Sequence, residues 1–476
     1  MAVGAKKPNI LWFCTDQQRF DTIQALGNEH IRTPNIDRMI ARGTCFTQAY
    51  AQSPVCTPSR ASFLTGRYAR TTRCRQNGQQ IPSYERLLSR LFADQGYYCG
   101  LAGKLHLSSC AAGRVENRID DGYSVFHWSH HPQPDWPENG YTQWLAHHGK
   151  TWDQLYTGGK ETAYVKEGVP SEFHQTTYCA EKTIEFIREN KDRNWFFSYN
   201  CFDPHHPFDP PAEYLAKYNA SSMPLPKIRE GELANKPRYQ KLDSKWAHNE
   251  PGYFDAQAMT DQDRQEVTAA YYAMIELIDD QFGRVLTALE ETGQLEDTIV
   301  IFMSDHGEML GDHGLYLKGP HFYDESVRVP LVLHWPRGIE AGVRCSGLIE
   351  LLDLAPTLCD LAGIPHYEGF QGRTLTPICQ GKANPQIHRD HVFSEYYNAW
   401  THHHAFGSML RTEDAKIVVY HGTEDGELYD LKNDPDEFEN LWNTSEAKDR
   451  KLELLNYCFD TSVFTMDPLP PRLGPF

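Results

Sequence analysis

Four apolar runs, rich in β-branched and aromatic residues, break into polar residues at their ends. "NILWFCTDQQ" breaks at Asp16 and Gln17, and "YYCGLAGKLH" at Lys104 and His106. "NWFFSYNCFDPHHPF" breaks at Asp203, His205 and His206, and "TIVIFMSDHGE" at Asp305 and His306. Short continuous apolar runs bounded by turn signals predict strands buried on both faces, as in a parallel sheet. Helical periods lie between them. In "TPNIDRMIARG", Thr33 is placed to cap a helix that starts at Pro34 and stops by Gly43. "DQDRQEVTAAYYAMIELIDDQFGRVLTALEETG" predicts a long amphipathic helix that ends at Gly293. Alternating strands and helices predict an α/β fold: a large, mostly parallel sheet sandwiched by helices. In such sheets, sites form outside the carboxyl ends of the strands. All four runs deliver their polar residues at that edge, so residues hundreds of positions apart are expected to meet in one cleft.

The pattern changes twice. From Leu107 to Pro170 the chain is rich in His, Trp, Pro and Gly and has no clear period, which predicts long loops over the cleft. Within it, the aromatic residues of 127–157 suit stacking on a sugar or aromatic ring, or caging a quaternary ammonium. From Gly372, "HVFSEYY", "FGSMLRTEDAKIVVYH" and "GELYDLKNDPDEFENLW" predict antiparallel strands with tight turns, followed by a closing helix. The expected organisation is a catalytic α/β domain over 1–371 and a smaller C-terminal α+β domain over 372–476. The Pro-rich tail "DPLPPRLGPF" is expected to be extended and could reach a neighbouring subunit of a homo-oligomer.

Composition removes several classes of function. With 40% hydrophobic and 23% charged residues, the 476-residue chain has an ordinary globular make-up. No apolar run approaches the ~18 residues of a membrane span. The N-terminal apolar run stops at Asp16 without a small-residue cleavage site, so it reads as a core strand and the protein as cytoplasmic. The 12 cysteines show no CxxC pair and no zinc-type spacing, and several sit inside strand-like runs. A formal charge of −18 argues against nucleic acid and anionic membranes as partners. Any anion bound here must be held by a local basic cluster against the overall field.

Asp16 and Asp305 each end a strand, and each is followed by a neutral donor, Gln17 and His306. Two carboxylates, an amide oxygen and an imidazole suit a divalent cation. Strand-end aspartates also cap helices and loops, which is the competing reading of each one alone. Arg60, Lys104 and Lys318 read as loop residues, where a lone cation is normally a solvated surface charge. His106, His205 and His206 are, taken singly, packing or surface histidines. "HHH" at 402–404 reads as an exposed loop cluster.

One stretch joins these scattered residues. "CTPSRASFLTGR", starting at Cys56, resembles the C-x-P-S-R-x-x-x-L-T-G-R signature of type I sulfatases, members of the alkaline phosphatase superfamily. "TDQQ" resembles the first metal loop of that family, and "GKLH" its G-K-x-H. "DPHHPF" resembles the H-x-P loop, and "SDHGEMLGDHGLYLKGPHFYDESVRVPLVLHWP" the second metal loop with its later lysine. "DGELYDLKNDPDEFENL" resembles the C-terminal segment. The resemblance covers nearly the whole chain apart from the loops over the cleft.

The resemblance implies that Cys56 is oxidised to formylglycine by a formylglycine-generating enzyme. It implies a divalent metal, Ca2+, held by Asp16, Gln17, Asp305 and His306 together with modified Cys56. Arg60 would hold the hydrated aldehyde, and Lys104 and Lys318 the sulfate oxygens. His106 would be the base that drives elimination. His205, with Lys318, would protonate the leaving alcohol, and Asn77 would touch the bound group. The sequence departs from the family's all-oxygen metal set at Gln17 and His306, which brings Mn2+ or Zn2+ into consideration. Phosphonate monoester hydrolases and phosphodiesterases of the superfamily share an Asp-Gln plus Asp-His set but generally lack G-K-x-H. With Lys104 and His106 kept, hydrolysis of a sulfate monoester, aryl or carbohydrate, is the leading expectation and phosphodiester or phosphonate hydrolysis the alternative. A catalytically inactive sulfate- or sugar-binding scaffold is the reading from another class, and the full set of candidate ligands argues against it.

Overall fold

A computed structural model describes residues 7–111, 114–132, 136–156, 159, 161–400, 404–470 and 472–474. His402 and His403 of the triple histidine, and parts of the 127–157 segment, lie outside the described residues. The large sheet contains β1 (Asn9–Thr15), β2 (Thr44–Phe46), β3 (Tyr98–Gly103), β4 (Val125–Trp128), β5 (Trp195–Asn200), β6 (Thr298–Ser304), β7 (Leu331–His334) and β8 (Val343–Cys345). Their order across the sheet is β8-β2-β7-β6-β1-β5-β3-β4. Only β7 runs against its neighbours; the other pairs are parallel. The four apolar runs of the sequence are β1, β3, β5 and β6, side by side in the middle of the sheet.

Alternation along β1 explains why this sheet needs helices on both faces. Leu11 and Phe13 pack into one apolar cluster with Ile36 and Met39 of α1 (Pro34–Arg42). Also in that cluster are Tyr178 and Ile187 of α4 (Gln175–Glu189) and Phe282 of α5 (Asp261–Glu291). Ile10, Trp12 and Cys14 pack into the other cluster, with Phe63 of α2 (Cys56–Thr65) and Leu358 of α6 (Leu354–Ala362). The long helix starts in a capping box between Thr260 and Asp263 and ends by Gly293, whose φ of +67° favours glycine.

The described residues between 107 and 170 include more regular structure than the sequence suggests. They contain β4, the edge strand of the sheet, and α3 (Gly140–His147). Three of the four residues of β4 are only half-buried, so an apolar run never forms, and the strand is held by its ladder to β3.

The C-terminal sheet is an antiparallel meander of β9 (His391–Tyr397), β10 (Phe406–Thr412), β11 (Ala415–Tyr420) and β12 (Gly426–Asp430), as expected. The closing helix α7 (Lys448–Phe464) packs Leu454 and Cys458 against Phe393, Leu410, Ile417 and Leu428. Leu375, Ile378 and Cys379 belong to the core of the large sheet. Among the described residues no helix is long and apolar enough to cross a membrane. All 12 cysteines are free and buried.

Candidate active site

Cys56 opens α2 directly after Val55, which is extended and has no side chain able to cap. The cap comes from elsewhere: Asn77 Oδ1 accepts from the Thr57 amide at 3.0 Å. Asn77, expected at the bound group, is thus found fixing the helix start that carries Cys56. Every residue of α2 is buried. Arg60, whose context read as a loop, is in this helix with 1% exposure. It lies four residues beyond Cys56, one turn along, so both side chains face the strand ends. Ser59 Oγ ties the helix to β6 by donating to Asp305 O at 2.6 Å.

Asp16 and Asp305 emerge from neighbouring parallel strands, β1 and β6, whose last paired residues are Thr15 and Ser304. Their side chains converge on Cys56. The Cys56 sulfur is 3.7 Å from Asp16 Oδ1 and 3.1 Å from His306 Nε2. His306 Nε2 is 3.6 Å from Asp16 Oδ1 and 3.7 Å from Asp305 Oδ1. The other imidazole nitrogen, Nδ1, is 2.9 Å from the Gly307 carbonyl and donates to it, which turns Nε2 inward toward the carboxylates and the sulfur. Gln17, at φ +71°, bonds Asp305 Oδ1 through its backbone amide. Its side-chain oxygen accepts from Lys318 Nζ at 2.6 Å, and its side-chain nitrogen donates to Glu308.

Three cations surround the carboxylates, and none is solvated. Arg60 Nε donates to Asp305 Oδ2 at 2.8 Å, its Nη2 lies 3.5 Å from Asp16, and its Nη1 donates to the Lys104 carbonyl. Lys104 Nζ pairs with Asp16, and Lys318 Nζ donates to the Cys56 sulfur at 3.2 Å. Lys104 and Lys318 are 1% and 2% exposed, so the surface reading fails for all three. A charge buried this far is stable only among partners, and here the partners are the two aspartates, the Gln17 oxygen and the sulfur.

The electrostatics follow from that packing. Burial alone would raise Asp16, but Lys104, Lys318, Arg60 and His306 hold its carboxyl well below the usual range. Burial and Asp16 push the Cys56 thiol up, yet Lys104, Lys318 and His306 outweigh them and lower it. Burial opposes the ammonium of Lys104, and Asp16 raises it nevertheless. His306 is likewise raised, because Asp305 and Cys56 overcome its burial. Oxygen, sulfur and nitrogen donors of Asp16, Cys56, Asp305 and His306 all lie within 4.8 Å of one another, and all four residues are buried. Two carboxylates and an inward-facing imidazole at such spacing fit a divalent ion.

The two remaining histidines follow β3 and β5. His106 follows β3 at φ +61°, its backbone amide donating to Glu116 at 3.1 Å. Burial, with Lys104 and Arg60 close by, holds its imidazole well below the usual range, so it is neutral. His205 is held neutral in the same direction, by burial and then by Lys318. Its Nδ1 donates to the His206 carbonyl at 2.6 Å, which leaves Nε2 as a bare acceptor.

One residue of the centre escaped sequence reasoning. Glu308 is fully buried; it accepts from the side chain of Gln17 and from the backbone amides of Leu310 and Leu317. It therefore orients Gln17 and fixes the turn that delivers Lys318. An acid three positions after Asp305, in the same "SDHGE", was the available signal.

The sulfatase family profile matches residues 8–364, and that of the N-sulphoglucosamine sulphohydrolase C-terminal region matches 311–460. An arylsulfatase of Clostridium perfringens is 31% identical over 462 residues, which covers 93% of this chain and 92% of the relative. An N-acetylglucosamine-6-O-sulfatase of Bacteroides thetaiotaomicron is 26% identical over 517 residues, covering 96% and 86%. Among solved structures, the phosphonate monoester hydrolase of Agrobacterium radiobacter superposes with a TM-score of 0.83 at 26% identity, covering 97% of each chain. A signature cysteine at the head of α2, two strand-end aspartates and a family profile over most of the chain agree: this protein belongs to the sulfatase family of hydrolases, within the alkaline phosphatase superfamily.

Proposed function

We propose that the protein hydrolyses a sulfate monoester, of an aryl alcohol or a carbohydrate, to the alcohol and sulfate. The observation that carries this is the position of Cys56, within hydrogen-bonding reach of both His306 and Lys318. Cys56 would be converted to formylglycine by the maturation enzyme of this family. Hydrated, residue 56 offers one hydroxyl to attack sulfur and a second that expels sulfate once it loses its proton. A bound divalent ion supplies positive charge there, easing loss of the attacking proton and neutralising ester oxygens. Asp16, Asp305 and His306 would hold it, with the Gln17 amide oxygen. Calcium is the family's ion, while the imidazole favours Mn2+ or Zn2+.

The chain's own groups divide the remaining work. Arg60 holds the two aspartates and is placed to orient residue 56. Lys104 and Lys318 are placed to take ester oxygens where charge gathers. His106, neutral, takes the proton that drives elimination. His205 presents an acceptor at Nε2, so it relays a proton to the leaving alcohol from Lys318 rather than storing one.

Mass spectrometry of the tryptic peptide 43–60, with metal analysis and a panel of aryl sulfate, choline sulfate, sulfated sugars and a phosphodiester, tests this reading. Unmodified Cys56 in protein from its native host, or no divalent ion near one per chain, overturns it.

The likeness to a phosphonate monoester hydrolase favours a second reading, in which a phosphonate or phosphodiester is the better substrate. Retention of Lys104 beside Asp16 supports the sulfate ester over it. The free state of all the cysteines supports a reducing, cytoplasmic setting.

A further inference from the structure

A second group of donors stands beside the cluster around Cys56. β3 and β4 are adjacent and parallel, with Gly103 opposite Trp128 and the ladder continued by the Ser129 amide to Gly103 O at 3.0 Å. Three residues past β3 the chain delivers His106; two past β4 it delivers His130. Their rings lie 4.4 Å apart, centroid to centroid. Cys110, on the loop that leaves His106, completes the group: one donor atom from each residue lies within 4.8 Å of the other two.

Two features distinguish this group from packing. Nδ1 of His106 and Nδ1 of His130 are both buried and neither has a hydrogen-bond partner. Leaving two buried imidazole nitrogens unpaired is unfavourable unless something else satisfies them. Second, the donors are of the right kind: two neutral imidazoles and a sulfur make a borderline-soft set, unlike the oxygen-rich set at Asp16.

We propose that His106, Cys110 and His130 form a second metal site, selective for Zn2+ or a similar thiophilic divalent ion. Around zinc, with bonds of about 2.0–2.3 Å, donors stand roughly 3.3–3.8 Å apart, so closure takes small side-chain rotations. Three protein ligands leave a fourth position for water. Burial and Glu116 keep the Cys110 thiol protonated, its pKa pushed up to about 12. Binding therefore expels that proton: the S–H bond breaks, a sulfur–metal bond forms, and the proton leaves to solvent. Lys104 and Arg60, which depress His106, oppose a cation here; the new thiolate offsets them, and Glu116, whose pKa burial raises to about 7, adds to it only as it ionises. Occupation withdraws His106 from proton transfer, so zinc would inhibit; that consequence alone rests on the role given to His106 above.

Cobalt(II) is the probe, because a thiolate ligand gives it a charge-transfer band in the near ultraviolet that oxygen and imidazole ligands do not. Full-length Cys56→Ser protein, in which the first cluster has no sulfur, is titrated with Co2+ and then Zn2+. The site predicts a thiolate band that saturates within about two Co2+ per chain, one for each cluster, bleaches with Zn2+ and vanishes in Cys56→Ser/Cys110→Ser. His130→Ala in the Cys56→Ser background keeps the band but needs at least about tenfold more Co2+, since even outer partners of a metal cost about 10–100-fold in affinity. Circular dichroism of each variant confirms folding, and the half-exposed His130 change reports the site should Cys110→Ser unfold. No thiolate band in Cys56→Ser, or the same band without Cys110, overturns the site whatever the activity of the enzyme.

Discussion

Cys56 and Lys318 are 262 residues apart in the chain, yet Lys318 Nζ donates to the Cys56 sulfur at 3.2 Å. The same ammonium bonds the Gln17 side chain at 2.6 Å. One buried cation thus links the signature helix, the end of β1 and the turn after β6. Its position depends on Glu308, which anchors the amide of the preceding Leu317.

Replacing Cys56 should separate chemistry from folding. The thiol has polar neighbours but no apolar packing role beyond its own volume, so Cys56→Ala should change stability by no more than about 1–2 kcal/mol. Loss of the nucleophile should lower turnover of an aryl sulfate by at least about a thousandfold. Steady-state kinetics and thermal denaturation on one preparation check both; near-wild-type turnover would exclude residue 56 as nucleophile.

Lys104→Ala should discriminate between esters. A sulfate monoester has three non-bridging oxygens and a phosphodiester two, so a cation beside Asp16 matters more to the monoester. A loss of roughly tenfold or more in kcat/KM for sulfate than for phosphodiester is expected, on the scale of one charge-assisted contact. Metal content must be matched between the proteins, because Lys104 pairs with Asp16. Equal losses would remove the preference for a sulfate substrate.

Arg60→Met should be costly to the fold. Arg60 is 1% exposed and is paired with Asp305 at 2.8 Å and with Asp16 at 3.5 Å. Removing one member of a buried charge cluster costs about 3–5 kcal/mol, because the carboxylates stay behind. Urea denaturation in the presence of EDTA measures this without interference from metal binding; a loss under about 1 kcal/mol would show that Lys104 alone satisfies both aspartates.

Acid should weaken the join between α7 and the C-terminal sheet. His391 Nδ1 lies 2.6 Å from the Tyr457 hydroxyl, and Nε2 lies 3.4 Å from the Thr461 hydroxyl. Burial, then Arg389 and Arg373, lower its pKa to about 4. The unfolded chain, near 6.5, binds that proton first, so this contribution is whole above about pH 6.5 and is lost as pH falls towards 4. The stability gap between wild type and His391→Gln should therefore narrow between pH 7 and 4 in urea titrations. A constant gap would mean that His391 does not titrate in this range.

The four apolar runs, the helix stops and the Cys56 signature were legible in the sequence because each is local. Burial on both faces dictates continuous apolar strands, αL positions call for glycine, and the motif is contiguous. The strand-end rule also brought Asp16, Lys104, His205 and Asp305 to one edge without coordinates. Tertiary structure alone decided what the charges do. The family resemblance marks Arg60 and Lys318, but no local period or composition separates them from surface cations; only the register of β1 against β6 and the seating of α2 bury them against carboxylates and sulfur. Asn77 needed the same placement to become the cap of α2. β4 lacks an apolar run, so only its ladder to β3 makes it a strand, and only that ladder sets His130 beside His106. Local periodicity records which residues are buried, whereas the pairing of polar groups depends on distances between strands that no stretch of sequence contains.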